Sequence, residues 1–66
     1  MREYLGQAAG TVWHFLHTNG PSTVMTIKLA LNMTNGQLFL ALGWLSREDK
    51  IEIHPQDNTY TIALKS

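Results

Sequence analysis

Two apolar stripes of helical period, Val24, Ile27, Ala30 and Leu31, then Leu38, Ala41, Leu42 and Leu45, stand almost end to end in this chain. No other feature restricts the fold as tightly. The first stripe stops at Asn32, and Thr34-Asn35-Gly36-Gln37 opens the second as a capping box. In that device the Thr34 hydroxyl accepts from the Gln37 amide, while the Gln37 side chain reaches back to the Thr34 N–H. Only Asn32-Met33 is left to join the helices, so they must cross steeply with Met33 as the plug between them. The spacing predicts a helix-turn-helix whose last helix runs to about Arg47.

Upstream, Leu5, Ala8, Ala9, Val12, Trp13 and Leu16 recur at helical spacing from Glu3 to Thr18, with Gln7, Thr11, His14 and Thr18 on the other side. Gly6 and Gly10 each cost about 1 kcal/mol relative to alanine within a helix. Either another backbone passes close to them or they are surface glycines that the helix tolerates. Asn19-Gly20-Pro21 ends this first helix with a residue suited to positive φ and then a stop, and Ser22 or Thr23 can cap the second. Beyond the polar turn Arg47-Glu48-Asp49-Lys50 the period changes to two. Lys50-Ile51-Glu52-Ile53-His54 and Thr59-Tyr60-Thr61-Ile62-Ala63-Leu64 read as strands joined by Pro55-Gln56-Asp57-Asn58. This hairpin offers Ile51, Ile53, Tyr60, Ile62 and Leu64 to the core. Helix, helix, helix, hairpin is the winged-helix order, an α+β but mainly α fold with a two-stranded antiparallel wing.

A chain of 66 residues has room for one domain, residues 1–66, with a core near the lower limit for independent folding. Without cysteine, stability must come from packing or oligomerisation rather than from disulfides or thiolate metal sites. The start, Met1-Arg2-Glu3-Tyr4-Leu5-Gly6, does not read as an export leader, and no segment approaches the roughly 20 apolar residues of a membrane span. A soluble, cytoplasmic protein is expected. Five Lys and Arg balance five Asp and Glu, so the basic footprint usual in nucleic-acid binding is missing. Zero net charge also removes the self-repulsion that opposes association.

The third helix is apolar on two sides. At about 100° per residue, Leu38, Ala41, Leu42 and Leu45 cluster in one direction while Gly36, Leu40, Gly43 and Trp44 point roughly the other way. So few elements cannot wrap a helix completely. Either a second copy or another protein covers this side, aided by Phe39, or Trp44 folds back against helix one or the wing. On the first alternative Gly36, Phe39, Leu40, Gly43 and Trp44 form a protein interface, with Leu40 and Trp44 as its anchors.

Catalysis and cofactors are not expected. His14, His17 and His54 have no cysteine or carboxylate motif to complete a zinc site. Ser22 and Ser46 have no evident His and acid partners, and there is no Gly-rich phosphate loop. The pairs Glu48 and Asp49, or Glu52 and Asp57, fall at a turn or an exposed edge. So short a chain also leaves little volume for a small-molecule pocket.

The string Ala41-Leu42-Gly43-Trp44-Leu45-Ser46-Arg47-Glu48-Asp49-Lys50-Ile51-Glu52-Ile53, with Ala9-Gly10 and Val12-Trp13 upstream, resembles a family of short, functionally uncharacterised prokaryotic winged helix-turn-helix proteins. The resemblance implies the fold and a regulatory role; the reading that follows is a module binding double-stranded DNA, as a homodimer so that two weak half-site contacts add up. Winged-helix regulators place the start of helix three in the major groove and the hairpin turn on the backbone or minor groove. By that analogy Thr34, Asn35, Gln37 and Arg47 face the duplex, with Lys28 on helix two and His54, Gln56 and Asn58 in or beside the wing. Asn and Gln can read adenine bidentately, and Thr can serve a base or a phosphate. DNA-binding members carry Arg or Lys on the outward face of helix three, where this chain has Leu40, Gly43 and Trp44. A protein-interaction module of the same fold is the alternative.

Overall fold

The computed structural model describes the backbone of residues 2–65 and the side chains of residues 6–65. Leu5, assigned above to the stripe of the first helix, lies outside the described side chains. The elements are α1 (Arg2–Asn19), β1 (Ser22–Thr23), α2 (Val24–Leu31), α3 (Asn35–Arg47), β2 (Ile51–Gln56) and β3 (Thr59–Leu64).

Local chemistry sets each boundary. Gly20 ends α1 at φ 81, its N–H bonding the Leu16 carbonyl at 2.8 Å. Of the two candidate caps, Thr23 is the one used. Its Oγ1 accepts from the Thr26 N–H at 3.2 Å, whereas the Ser22 hydroxyl donates to the Gly20 carbonyl at 3.0 Å. At the end of α2, Asn32 turns left-handed at φ 53, and Met33 N–H reaches the Lys28 carbonyl at 3.1 Å. Asn tolerates this conformation better than most residues because its short polar side chain bonds locally. The capping box of α3 forms as expected, with Gln37 N–H to Thr34 Oγ1 at 3.1 Å and Thr34 N–H to Gln37 Oε1 at 3.0 Å. Asp49 repeats the left-handed closure at φ 60, with Lys50 N–H on the Leu45 carbonyl at 3.0 Å.

The hairpin differs from expectation in two ways. Pro55 and Gln56 belong to β2, so the connection is only Asp57-Asn58, with Asp57 at φ 54. Two-residue hairpin loops of the favoured types require positive φ at that first position. The wing also gains a third short strand: β1 pairs antiparallel with β3, Ser22 opposite Ile62 and Thr23 opposite Thr61, giving the order β1-β3-β2. Between β2 and β3 the register runs from Ile51 opposite Leu64 to Gln56 opposite Thr59.

The core joins Ala9, Val12 and Leu16 of α1, Ile27 of α2, Leu38, Ala41, Leu42 and Leu45 of α3, and Ile51 and Ile62 of the sheet. All four inner residues of α3 are buried, as their period required. Met33 is half-buried against this core between α2 and α3. Two residues expected in the core are not there. Ile53 and Tyr60 share a sheet face with Ile51 and Ile62, yet they remain 44% and 50% exposed. An open groove, not a packed side chain, lies between them and α3.

Candidate functional site

α3 offers two flanks and an outer face. Counting 100° per residue from the buried side, Trp44 falls toward α1, Phe39, Gly43 and Ser46 toward the wing, and Gly36, Leu40 and Arg47 outward. The structure follows this division. Trp44 is half-buried against the core and borders a groove with Gly6, Ala9, Gly10 and Trp13 of α1. It thus leaves the outward group in which its position placed it, because its angle lies at the border between the outer face and the α1 flank. Trp13 in turn stacks on His17, ring centroids 5.0 Å apart and planes 8° from parallel.

Leu40 is 56% and Phe39 57% exposed. Phe39, Leu42, Gly43 and Ser46 from α3 face Ile53, Tyr60 and Ile62 from the sheet across an open groove of about 400 Å³ that Val24 also lines. This groove escaped the sequence reading, which had placed Ile53 and Tyr60 inside. Alternation identifies a common face but does not reveal whether anything lies over it. The glycines are open too: a Cβ on Gly6, Gly10 or Gly43 would meet nothing within 4 Å, so among the described residues no other element's backbone lies against Gly6 or Gly10.

The polar residues assigned to a duplex do not converge. Thr34 and Gln37 direct their side-chain oxygens to each other's backbone in the capping box. Gln37 is half-buried and faces α1 and α2, beside Gln7, Ala8, Thr11 and Met33. Asn35 is exposed at the first residue of α3, and Arg47 is exposed at its last. At about 1.5 Å of rise per residue they stand roughly 18 Å apart along the axis, so one base-pair step cannot engage both. Lys28 is half-buried in the last turn of α2. In the wing, Gln56 Oε1 accepts from the Thr61 hydroxyl at 2.6 Å, His54 Nε2 lies 3.1 Å from Glu52 Oε1, and Asn58 is exposed in the turn.

Cationic charge is likewise dispersed. Lys65 bonds Asp49, and this hydrogen bond, helped by the attraction of the two charges, holds the Lys65 ammonium above its usual pKa. Among the described residues no three His, Cys, Asp or Glu side chains are grouped to hold a metal ion. No helix among them is long and apolar enough to cross a membrane.

A helix-turn-helix whose third helix lies over a β1-β3-β2 sheet, with a hairpin projecting beside it, defines the class: this is a winged helix-turn-helix domain. The chain belongs to the family described as "Winged helix-turn-helix domain (DUF2582)", whose model matches residues 1–64. It is similar to the uncharacterised protein MJ1608 of Methanocaldococcus jannaschii, 33% identical over 64 residues that cover 92% of this chain and 90% of that one. It is also similar to the solution NMR structure of protein BT2368 from Bacteroides thetaiotaomicron. There the TM-score is 0.85 and the identity 28%, over 96% of this chain and 77% of the other.

Proposed function

We propose that this chain is a non-catalytic winged-helix module that works by protein association, as a homodimer whose contact surface is built around α3. One observation carries this reading. Between the exposed Asn35 at its start and Ser46 and Arg47 at its end, the accessible side of the recognition helix is Gly36, Phe39, Leu40 and Gly43, and Arg47 is the only formal charge on the helix. Such a surface offers a duplex little to neutralise phosphates and few free donors for base edges. To another protein it offers apolar area, and fully burying a Leu or Phe is worth roughly 1.5 to 3 kcal/mol. Zero net charge places no electrostatic barrier between two copies.

A second reading, DNA binding in transcription regulation, is favoured by the fold and by Asn35, which stands exposed at the start of α3 where winged-helix regulators meet the major groove. A dimer would add two such weak contacts together. Sedimentation velocity over a wide concentration range, run beside titration with random-sequence duplex at low salt, separates the readings. A concentration-dependent dimer with no salt-sensitive duplex affinity supports association. A monomer that binds duplex with an affinity falling steeply as salt rises overturns it.

A further inference from the structure

The outer strand of the wing carries a pattern that only a second copy of itself would complete. β2 is the open margin of the sheet. Lys65 N–H bonds the Lys50 carbonyl at 2.9 Å, which fixes the phase of the ladder. In an antiparallel pair the bonded residues alternate, so Glu52, His54 and Gln56 bond β3 while Ile51, Ile53 and Pro55 turn their backbone groups to the open side. Proline, which has no N–H, is tolerated at such a position because it leaves the existing ladder intact.

We infer that two copies pair antiparallel through β2, with the two-fold axis at Ile53, to form one continuous six-stranded sheet. This rests on the reading that the chain self-associates, and it moves the contact from the outward face of α3, whose Gly36 and Leu40 it leaves open, to the wing edge and the Phe39 flank of that helix. About that axis Ile53 of each copy both donates to and accepts from Ile53 of the other, and each Ile51 N–H donates to a Pro55 carbonyl. Glu52 of each copy then lies opposite His54 of the other, on the face away from the core. The Glu52 and His54 side chains already meet at 3.1 Å within one strand, so the dimer would carry a square of alternating acid and base. Other axes are worse. Centring on Ile51 sets Lys50 opposite Glu52 but pairs only residues 51–53 of the strand and puts Ile53 opposite the turn residue Asp49. Centring on Glu52 or on His54 sets a charged or polar residue opposite its own copy, and centring on Pro55 sets two residues without N–H opposite each other.

The apolar side supports the same axis. Ile53, 44% exposed, would meet its own copy beside the groove that Phe39 and Tyr60 border, extending that groove into the second subunit. These three side chains expose on the order of 300 Å² of mostly apolar surface. That is a little over a third of the roughly 800 Å² per partner of a standard interface, to which the paired strand edge and its flanking residues add.

The test is sedimentation velocity on the full chain. The wild type is expected to dimerise, and Ile53→Pro, which removes an outward N–H and a half-exposed side chain and fixes φ at a value an edge strand accommodates, to be a monomer with an unchanged far-ultraviolet spectrum. His54→Glu should weaken the dimer by tenfold or more, and adding Glu52→His to it should restore the affinity by exchanging the two partners. This charge series keeps the inference testable should Ile53→Pro fail to fold. A wild type that stays monomeric at about 1 mM, the limit of weak affinity, overturns both this inference and the association reading. A dimer indifferent to Ile53→Pro and to the charge series overturns edge pairing alone.

Discussion

Leu38 and Phe39 are consecutive residues of α3, the first fully buried and the second 57% exposed, so polar or truncating changes at the two should have opposite consequences. Consider Phe39→Gln, which keeps a good helix former and removes the ring. The exposed part of a Phe side chain, if covered by a partner, is worth about 1 to 2 kcal/mol of the 1.5 to 3 assigned to full burial. A symmetric dimer loses it twice, about 2 to 4 kcal/mol, or roughly a 30- to 1000-fold rise in dissociation constant. The smaller, covered part of the ring limits the loss of monomer stability to about 1 kcal/mol. Leu38→Ala removes no exposed surface but opens a cavity, at about 2 to 5 kcal/mol. That is a large share of the roughly 3 to 10 kcal/mol available to a domain of this length. Sedimentation equilibrium gives the dissociation constants, and denaturant titration below the dimerisation range gives monomer stability. Equal stability losses from the two variants, or a dimer indifferent to Phe39→Gln, would refute the reasoning.

Thr34→Ala removes the hydroxyl half of the capping box, leaving the bond from the residue 34 N–H to Gln37 Oε1, and should cost about 1 kcal/mol. At about 4 to 8 °C per kcal/mol in a domain this small, thermal melting will register it clearly. Gly43→Ala adds a Cβ where nothing lies within 4 Å, so it should stabilise the monomer by about 0.5 to 1 kcal/mol while weakening self-association, both readable in the same two assays. Because the folded-state pKa of Lys65 is raised above 10.5, its bond to Asp49 contributes fully below that pH and is lost as pH rises through the higher folded value. Asp49→Asn, which keeps a side chain that tolerates φ 60, should abolish this alkaline loss in melts taken from about pH 9 to about pH 12.

Much of this architecture is written locally in the chain. The capping box at Thr34 and Gln37, the left-handed Asn32 and the inner stripe of α3 involve partners three to five residues apart, so their chemistry can be read without knowing the fold. β1 was not legible, because two residues carry no period and their partner lies about forty positions away on β3. Pro55 looked like a turn residue, since a proline's place in a strand depends on whether that strand is an edge. The candidate site was less legible than the fold. Trp44 and Gln37 lie at the borders of helical faces, where a few degrees decide between α1 and solvent. The exposure of Ile53 and Tyr60 depends on how closely the sheet approaches the Phe39 flank of α3, a distance that no local pattern encodes.

Thr23 belongs to two structures at once. It faces Thr61 in the sheet, and its hydroxyl closes the first turn of α2. Peeling the hairpin away would therefore uncap the helix, and fraying the helix would loosen the strand pair. The domain has no seam along which to come apart, and amide hydrogens of α2 and β3 should exchange in one shared opening event rather than in two.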